Sequence, residues 1–98
     1  MSKDDFTAAT ALLAGQGLVV ADARYDYQVF GSWFIELATS PALRLVWDGR
    51  DGSLVVQRKT DKIFSGLPVW HDVWLDKRPQ DMHAALREAA AQIHAIKS

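Results

Sequence analysis

Between Ser32 and Lys59 three runs carry a large apolar residue at every second position, a period of two that predicts strands with one strongly apolar face. Over Ser32–Thr39, Trp33, Ile35 and Leu37 alternate with Ser32, Phe34 and Glu36. A turn follows at Ser40-Pro41. Leu43, Leu45 and Trp47 then alternate with Arg44, Val46 and Asp48, and a second run sets Leu54, Val56 and Arg58 against Val55, Gln57 and Lys59. The intervening Gly49-Arg50-Asp51-Gly52 reads as a four-residue hairpin loop. Asp48 is then expected opposite Ser53, Trp47 opposite Leu54 and Leu45 opposite Val56, the register that gathers the large apolar residues on one face.

The flanking pattern is helical. Phe6, Ala9, Leu12 and Leu13 recur at three- and four-residue spacing and predict a helix over 4–16, capped by Ser2 or Asp4, with Asp5 facing the positive end of the dipole. Gly15 and Gly17 stop it. Pro79 suits a first helical position, and Met82, Ala85, Leu86, Ala89, Ala90, Ile93 and Ile96 repeat at helical spacing to Lys97. Between helix and hairpin, Leu18 to Phe30 suggests extended structure broken around Ala21-Asp22-Ala23. Asp61 to Gly66 reads as a polar loop containing Ile63 and Phe64, and Pro68 to Leu75 as a fourth strand. The order is therefore α-β-β-β-β-α: an α+β domain with a single antiparallel sheet of about four strands and an N-terminal and a C-terminal helix packed on it.

Composition narrows the class without naming a task. A chain of 98 residues that is 49% hydrophobic and 23% charged makes one domain, residues 1–98, with a core of its own. It has no cysteine, so disulfides and thiolate metal sites are excluded. The start, Met1-Ser2-Lys3-Asp4-Asp5, lacks the apolar stretch of a signal peptide, and no segment approaches the ~20 apolar residues of a membrane span. A cytoplasmic location is expected. Eleven Lys and Arg against 12 Asp and Glu give a net charge of −1, which offers no long-range steering toward nucleic acid or membrane.

Reaction chemistry is hard to assemble from these residues. His83 and His94 are about three helical turns apart, roughly 16 Å along the axis, and His71 and Asp72 are neighbours pointing to opposite faces of a strand, so a metal site is not expected. Ser32 follows Gly31 but has strand instead of helix behind it, unlike a nucleophile elbow. Gly49-Arg50-Asp51-Gly52 leads into a strand and lacks the following Lys-Ser or Lys-Thr of a phosphate loop. No spacing singles out a catalytic pair among Asp22, Asp26, Glu36, Asp48, Asp51, Asp61, Asp72 and Asp76. Arg44, Arg50, Arg58, Lys59 and Lys62 lie near the central hairpin, but Asp48, Asp51 and Asp61 dilute them, so nucleic acid is not an expected partner. The expectation is a cofactor-free protein that is not an enzyme.

The second sheet face is the feature that invites a function. If Trp33, Ile35, Leu37, Leu43, Leu45, Trp47, Leu54 and Val56 face the helices, the opposite face carries Phe34, Val46 and Val55 among Ser32, Glu36, Arg44 and Gln57. An apolar cluster rimmed by polar groups marks a protein interface, unless a helix or loop covers it. Trp70 and Trp74 are second candidates, because aromatic anchors dominate binding energy at interfaces. The candidate partner-binding set is thus Phe34, Glu36, Arg44, Val46, Val55, Gln57, Trp70 and Trp74.

Two stretches, Tyr25-Asp26 with Phe30-Gly31-Ser32-Trp33-Phe34-Ile35-Glu36-Leu37, and Leu43-Arg44-Leu45-Val46-Trp47-Asp48-Gly49-Arg50-Asp51-Gly52, resemble small bacterial immunity-type proteins of polymorphic-toxin and contact-dependent inhibition systems. The likeness covers about a third of the chain, an apolar alternation plus a turn. Related chains tend to carry a compact Arg-Asp-Arg-Gly turn where this one has Asp48-Gly49-Arg50-Asp51-Gly52. The resemblance implies a cytosolic, cofactor-free domain that neutralises one toxin by tight binding through a variable surface, so it assigns no binding residue. The alternative is a small secretion-type chaperone that holds an effector segment as a homodimer. A monomer and a homodimer are both open.

Overall fold

The expected alternation folds into one sheet with a helix from each end of the chain on the same side. A computed structural model describes residues 3–97 and gives α1 (Lys3–Gly15), β1 (Val20–Asp26), β2 (Ser32–Leu37), β3 (Leu43–Asp48), β4 (Ser53–Phe64), β5 (Leu67–Lys77) and α2 (Met82–Lys97). The strands form an antiparallel meander in the order β1-β2-β3-β4-β5. The class is α+β as expected, with five strands instead of four. No helix among the described residues is long and apolar enough to cross a membrane.

The central hairpin has the register its apolar pattern demands: Asp48 opposite Ser53, Trp47 opposite Leu54, Leu45 opposite Val56. Trp33, Ile35, Leu37, Leu43, Leu45, Trp47, Leu54 and Val56 all point to the helices, where Ala9 and Leu13 of α1 and Ala85, Leu86, Ala89, Ala90 and Ile93 of α2 close one core. Trp47 brings a cost with it, because its buried Nε1–H has no hydrogen-bond partner among the described residues, a penalty of about 1–3 kcal/mol set against the ring's burial.

Local geometry sharpens one expectation and overturns two. The broken stretch after Leu18 supplies a full strand, because a bulge at Ala21 lets Val20 face the core opposite Leu37 while Asp22 turns outward opposite Glu36. Residues 61–64 are not a loop. They continue β4, and the turn into β5 needs only Ser65 and Gly66, at φ 52° and 79°, the positive pair that suits a two-residue hairpin. Finally, Pro79 does not open α2. The helix begins at Met82, capped by Asp81, whose Oδ1 accepts the Ala84 N–H at 3.1 Å. Asp81→Ala is expected to cost about 1 kcal/mol, read as a lowered urea midpoint at unchanged slope.

The first helix ends as its glycines suggest. Gly17, at φ 81°, donates to the Ala14 carbonyl while Leu18 donates to that of Leu13, the paired bonds of a Schellman cap. Asp4 lies inside α1 and does not cap it; Ser2, the other expected cap, lies outside the described residues. His94 Nε2 on α2 meets Gln16 Oε1 at 2.8 Å and ties the two helices together.

Candidate functional site

Because both helices use one side of the sheet, no described helix covers the other. The registers arrange that open face in three rows across all five strands. The middle row runs Arg24, Phe34, Val46, Val55, Leu75; one flank runs Asp22, Glu36, Arg44, Gln57, Asp72; the other includes Asp26 and Ser32 on β1 and β2, and Asp48, Ser53 and Lys77 on β3 to β5. An apolar band four side chains wide thus lies between two polar margins. Phe34 and Val46 are half-buried by their neighbours, Val55 is only 8% exposed and Leu75, on the edge strand, is 53% exposed, so the band is most open to solvent at its β5 end. Near β1 it opens into a shallow depression of about 410 Å³ lined by Arg24, Asp26, Val29, Phe34, Arg44 and Val46.

Arg44 organises the margin that runs from Asp22 to Asp72. Its guanidinium carbon lies 4.1 Å from the centre of the Trp70 ring, and its Nε donates to Gln57 Oε1 at 2.7 Å, while Gln57 Nε2 donates to Asp72 Oδ1 at 2.8 Å. Stacking on an aromatic face and a fixed Nε leave the side chain little rotamer freedom. Burial lowers its pKa from the ordinary arginine value, opposed by the nearby carboxylates of Glu36 and Asp72. The group remains a cation at any physiological pH.

Of the residues expected to form the site, Phe34, Glu36, Arg44, Val46, Val55, Gln57 and Trp70 do share this face. Trp74 does not. A register shift places Trp74 opposite Val56 and Asp72 opposite Gln57, with Val73 as the extra residue, and Trp74 packs against the core on the helix side. Alternation could not reveal this, since residues four apart in a regular strand share a face. Leu75, Asp22 and Arg24 were not among the expected site residues, and the same two bulges hid them.

Two other apolar surfaces adjoin the face. The β1–β2 connection exposes Tyr27, Val29 and Phe30, at 74%, 50% and 66%. Beyond Arg58, the last β4 residue paired with β3, β4 and β5 run on as a two-stranded arm whose tip exposes Ile63, Phe64 and Leu67 at 74%, 76% and 69%. These residues were hidden from pattern reading because neither side of the arm is buried, so nothing forces them to alternate.

The groups weighed for chemistry are dispersed or occupied. Ser32 Oγ accepts the Gly49 N–H at 2.9 Å, joining the first strand connection to the hairpin turn. Asp48 Oδ1 accepts the N–H groups of Arg50 and Asp51 within its own turn. Among the described residues no three His, Cys, Asp or Glu side chains gather in a way that could hold a metal ion. Arg44 and Lys59 lie on the open face, Arg58 on the other side and Arg50 at the loop tip, so the cations do not form one stripe. Compared with models of known families, with characterised proteins and with solved structures, the chain gives no match.

Proposed function

We propose that the protein is a non-catalytic binding module, specifically an immunity protein that neutralises a bacterial toxin in the cytoplasm by occupying it tightly. The observation that carries this reading is the open sheet face. Its Phe34–Val46–Val55–Leu75 band lies between polar margins, with a preset Arg44–Trp70 stack beside it. Aromatic and arginine anchors around an apolar centre are the composition of binding hot spots. Rigid strands and a fixed Arg44 reduce the ordering cost of association. The resemblance of the Phe30–Leu37 and Leu43–Gly52 stretches to immunity-type proteins points the same way.

Protection is the test. Cells making the chain should survive a toxin encoded beside its gene. Val46→Asp, which sets a charge in the centre of the band without touching the core, should fold normally, leave the sheet's far-UV signal unchanged and abolish protection. A gene without a toxin neighbour, together with a native complex containing no toxin-like protein, would remove the reading. A homodimeric secretion-type chaperone is the second reading, favoured by the exposed Ile63, Phe64 and Leu67 at the arm tip. Sizing in solution separates the two, since a strict monomer is incompatible with it.

A further inference from the structure

The two margins of the open face differ in how their charges are matched. On one, Asp26 is bridged at 3.6 Å by Arg24 of the middle row, and Asp48 is held by its own turn. On the other, Asp22 and Glu36 stand directly opposite each other across β1 and β2. Like charges in that arrangement destabilise a sheet. The natural remedy is Arg44, which sits opposite Glu36 on β3, yet Arg44 is drawn away onto Trp70 and Gln57. Neither carboxylate touches a cation or a hydrogen-bond donor among the described residues. The face thus combines an apolar band with two opposed carboxylates that make no ion pair among the described residues, Glu36 lying within electrostatic reach of an Arg44 whose stacking and hydrogen bond go to Trp70 and Gln57.

We infer that the open face docks a cationic protein segment, with an apolar side chain of the partner over Phe34 and Val46 and a lysine or arginine of the partner between Asp22 and Glu36. This rests on the reading of the face as a protein-binding surface, and adds the sign of the partner's charge. Glu36 acts on Arg44 through space, and neither carboxylate holds a hydrogen bond or ion pair among the described residues that a partner cation would have to break. A cation there would relieve the Asp22–Glu36 repulsion as it bound, whereas an anionic segment would meet Asp22, Glu36 and Asp72 along the same margin. Arg44, stacked on Trp70 and bonded to Gln57, then forms a wall of the site and offsets the charge of Glu36 only through space.

The probes are two fluorescent peptides, one alternating leucine with lysine and the other alternating leucine with glutamate, titrated with the full-length protein and followed by anisotropy. The expected result is binding of the lysine peptide alone. It should weaken as salt rises, be lost in Val46→Asp and weaken about fivefold or more in the Asp22→Asn, Glu36→Gln double variant. The double variant should unfold at no lower urea concentration than wild type, which separates a docking role from a structural one. Equal or tighter binding of the glutamate peptide, or unchanged binding by the double variant, overturns the inference about charge. Unchanged lysine-peptide binding by Val46→Asp instead overturns the reading of the face on which it rests.

Discussion

Gly49→Ala should lower stability by about 3 kcal/mol, seen as an earlier urea midpoint with the slope unchanged. Gly49 opens the β3–β4 turn, and its α-carbon is pressed against the β1–β2 connection so closely that an added methyl group would run into the Phe30 carbonyl. Both sides of that contact are backbone, so no flexible side chain can move aside. The same glycine donates its N–H to Ser32 Oγ, and Phe30 already sits at φ 57°, in the left-handed region that few side chains tolerate. Shifting either segment would break the bond or disturb that conformation. Gly15 supplies the control. It lies in α1 with open space where its methyl would go, so Gly15→Ala should stabilise by up to about 1 kcal/mol.

Leu45→Ala should cost about 3–4 kcal/mol in the same assay, while Val46→Ala, one residue along, should cost less than about 1 kcal/mol. Leu45 is 1% exposed at the centre of the sheet, flanked by Ile35 and Val56 and covered by the helices, so truncation leaves a cavity that the packed elements cannot fill. Val46 stands on the open face with solvent above it, where a smaller side chain leaves no enclosed void. The pair therefore measures the difference between the two sides of one strand. Similar losses at both positions would mean that something covers the open face.

Pattern reading succeeded where burial was one-sided. Between Leu43 and Arg58, a single slip would have moved every large apolar side chain into water, so the hairpin register followed from the apolar pattern, and the same period of two in the preceding strand put Phe34 on the face of Val46 and Val55. It failed where one extra residue changes the parity. Ala21 and Val73 each do so, and a bulge leaves no residue type that announces it. The arm misled for a different reason, because Asp61 and Lys62 look like loop residues when neither side of a strand is buried. At α2 two signals competed for the start, and the aspartate that can accept a helix N–H prevailed over the proline two residues before it.

The two helices, which flank the sheet in sequence, close the same core and meet at Gln16 and His94. Each strand pairs with its sequence neighbour, so hairpins can form in order as a ribosome delivers them. The buried side of the sheet has to wait for α2. Until α2 has left the exit tunnel, a nascent chain displays Leu43, Leu45, Leu54 and Val56 without that helix over them, and in this interval between hairpin formation and helix docking aggregation competes with folding.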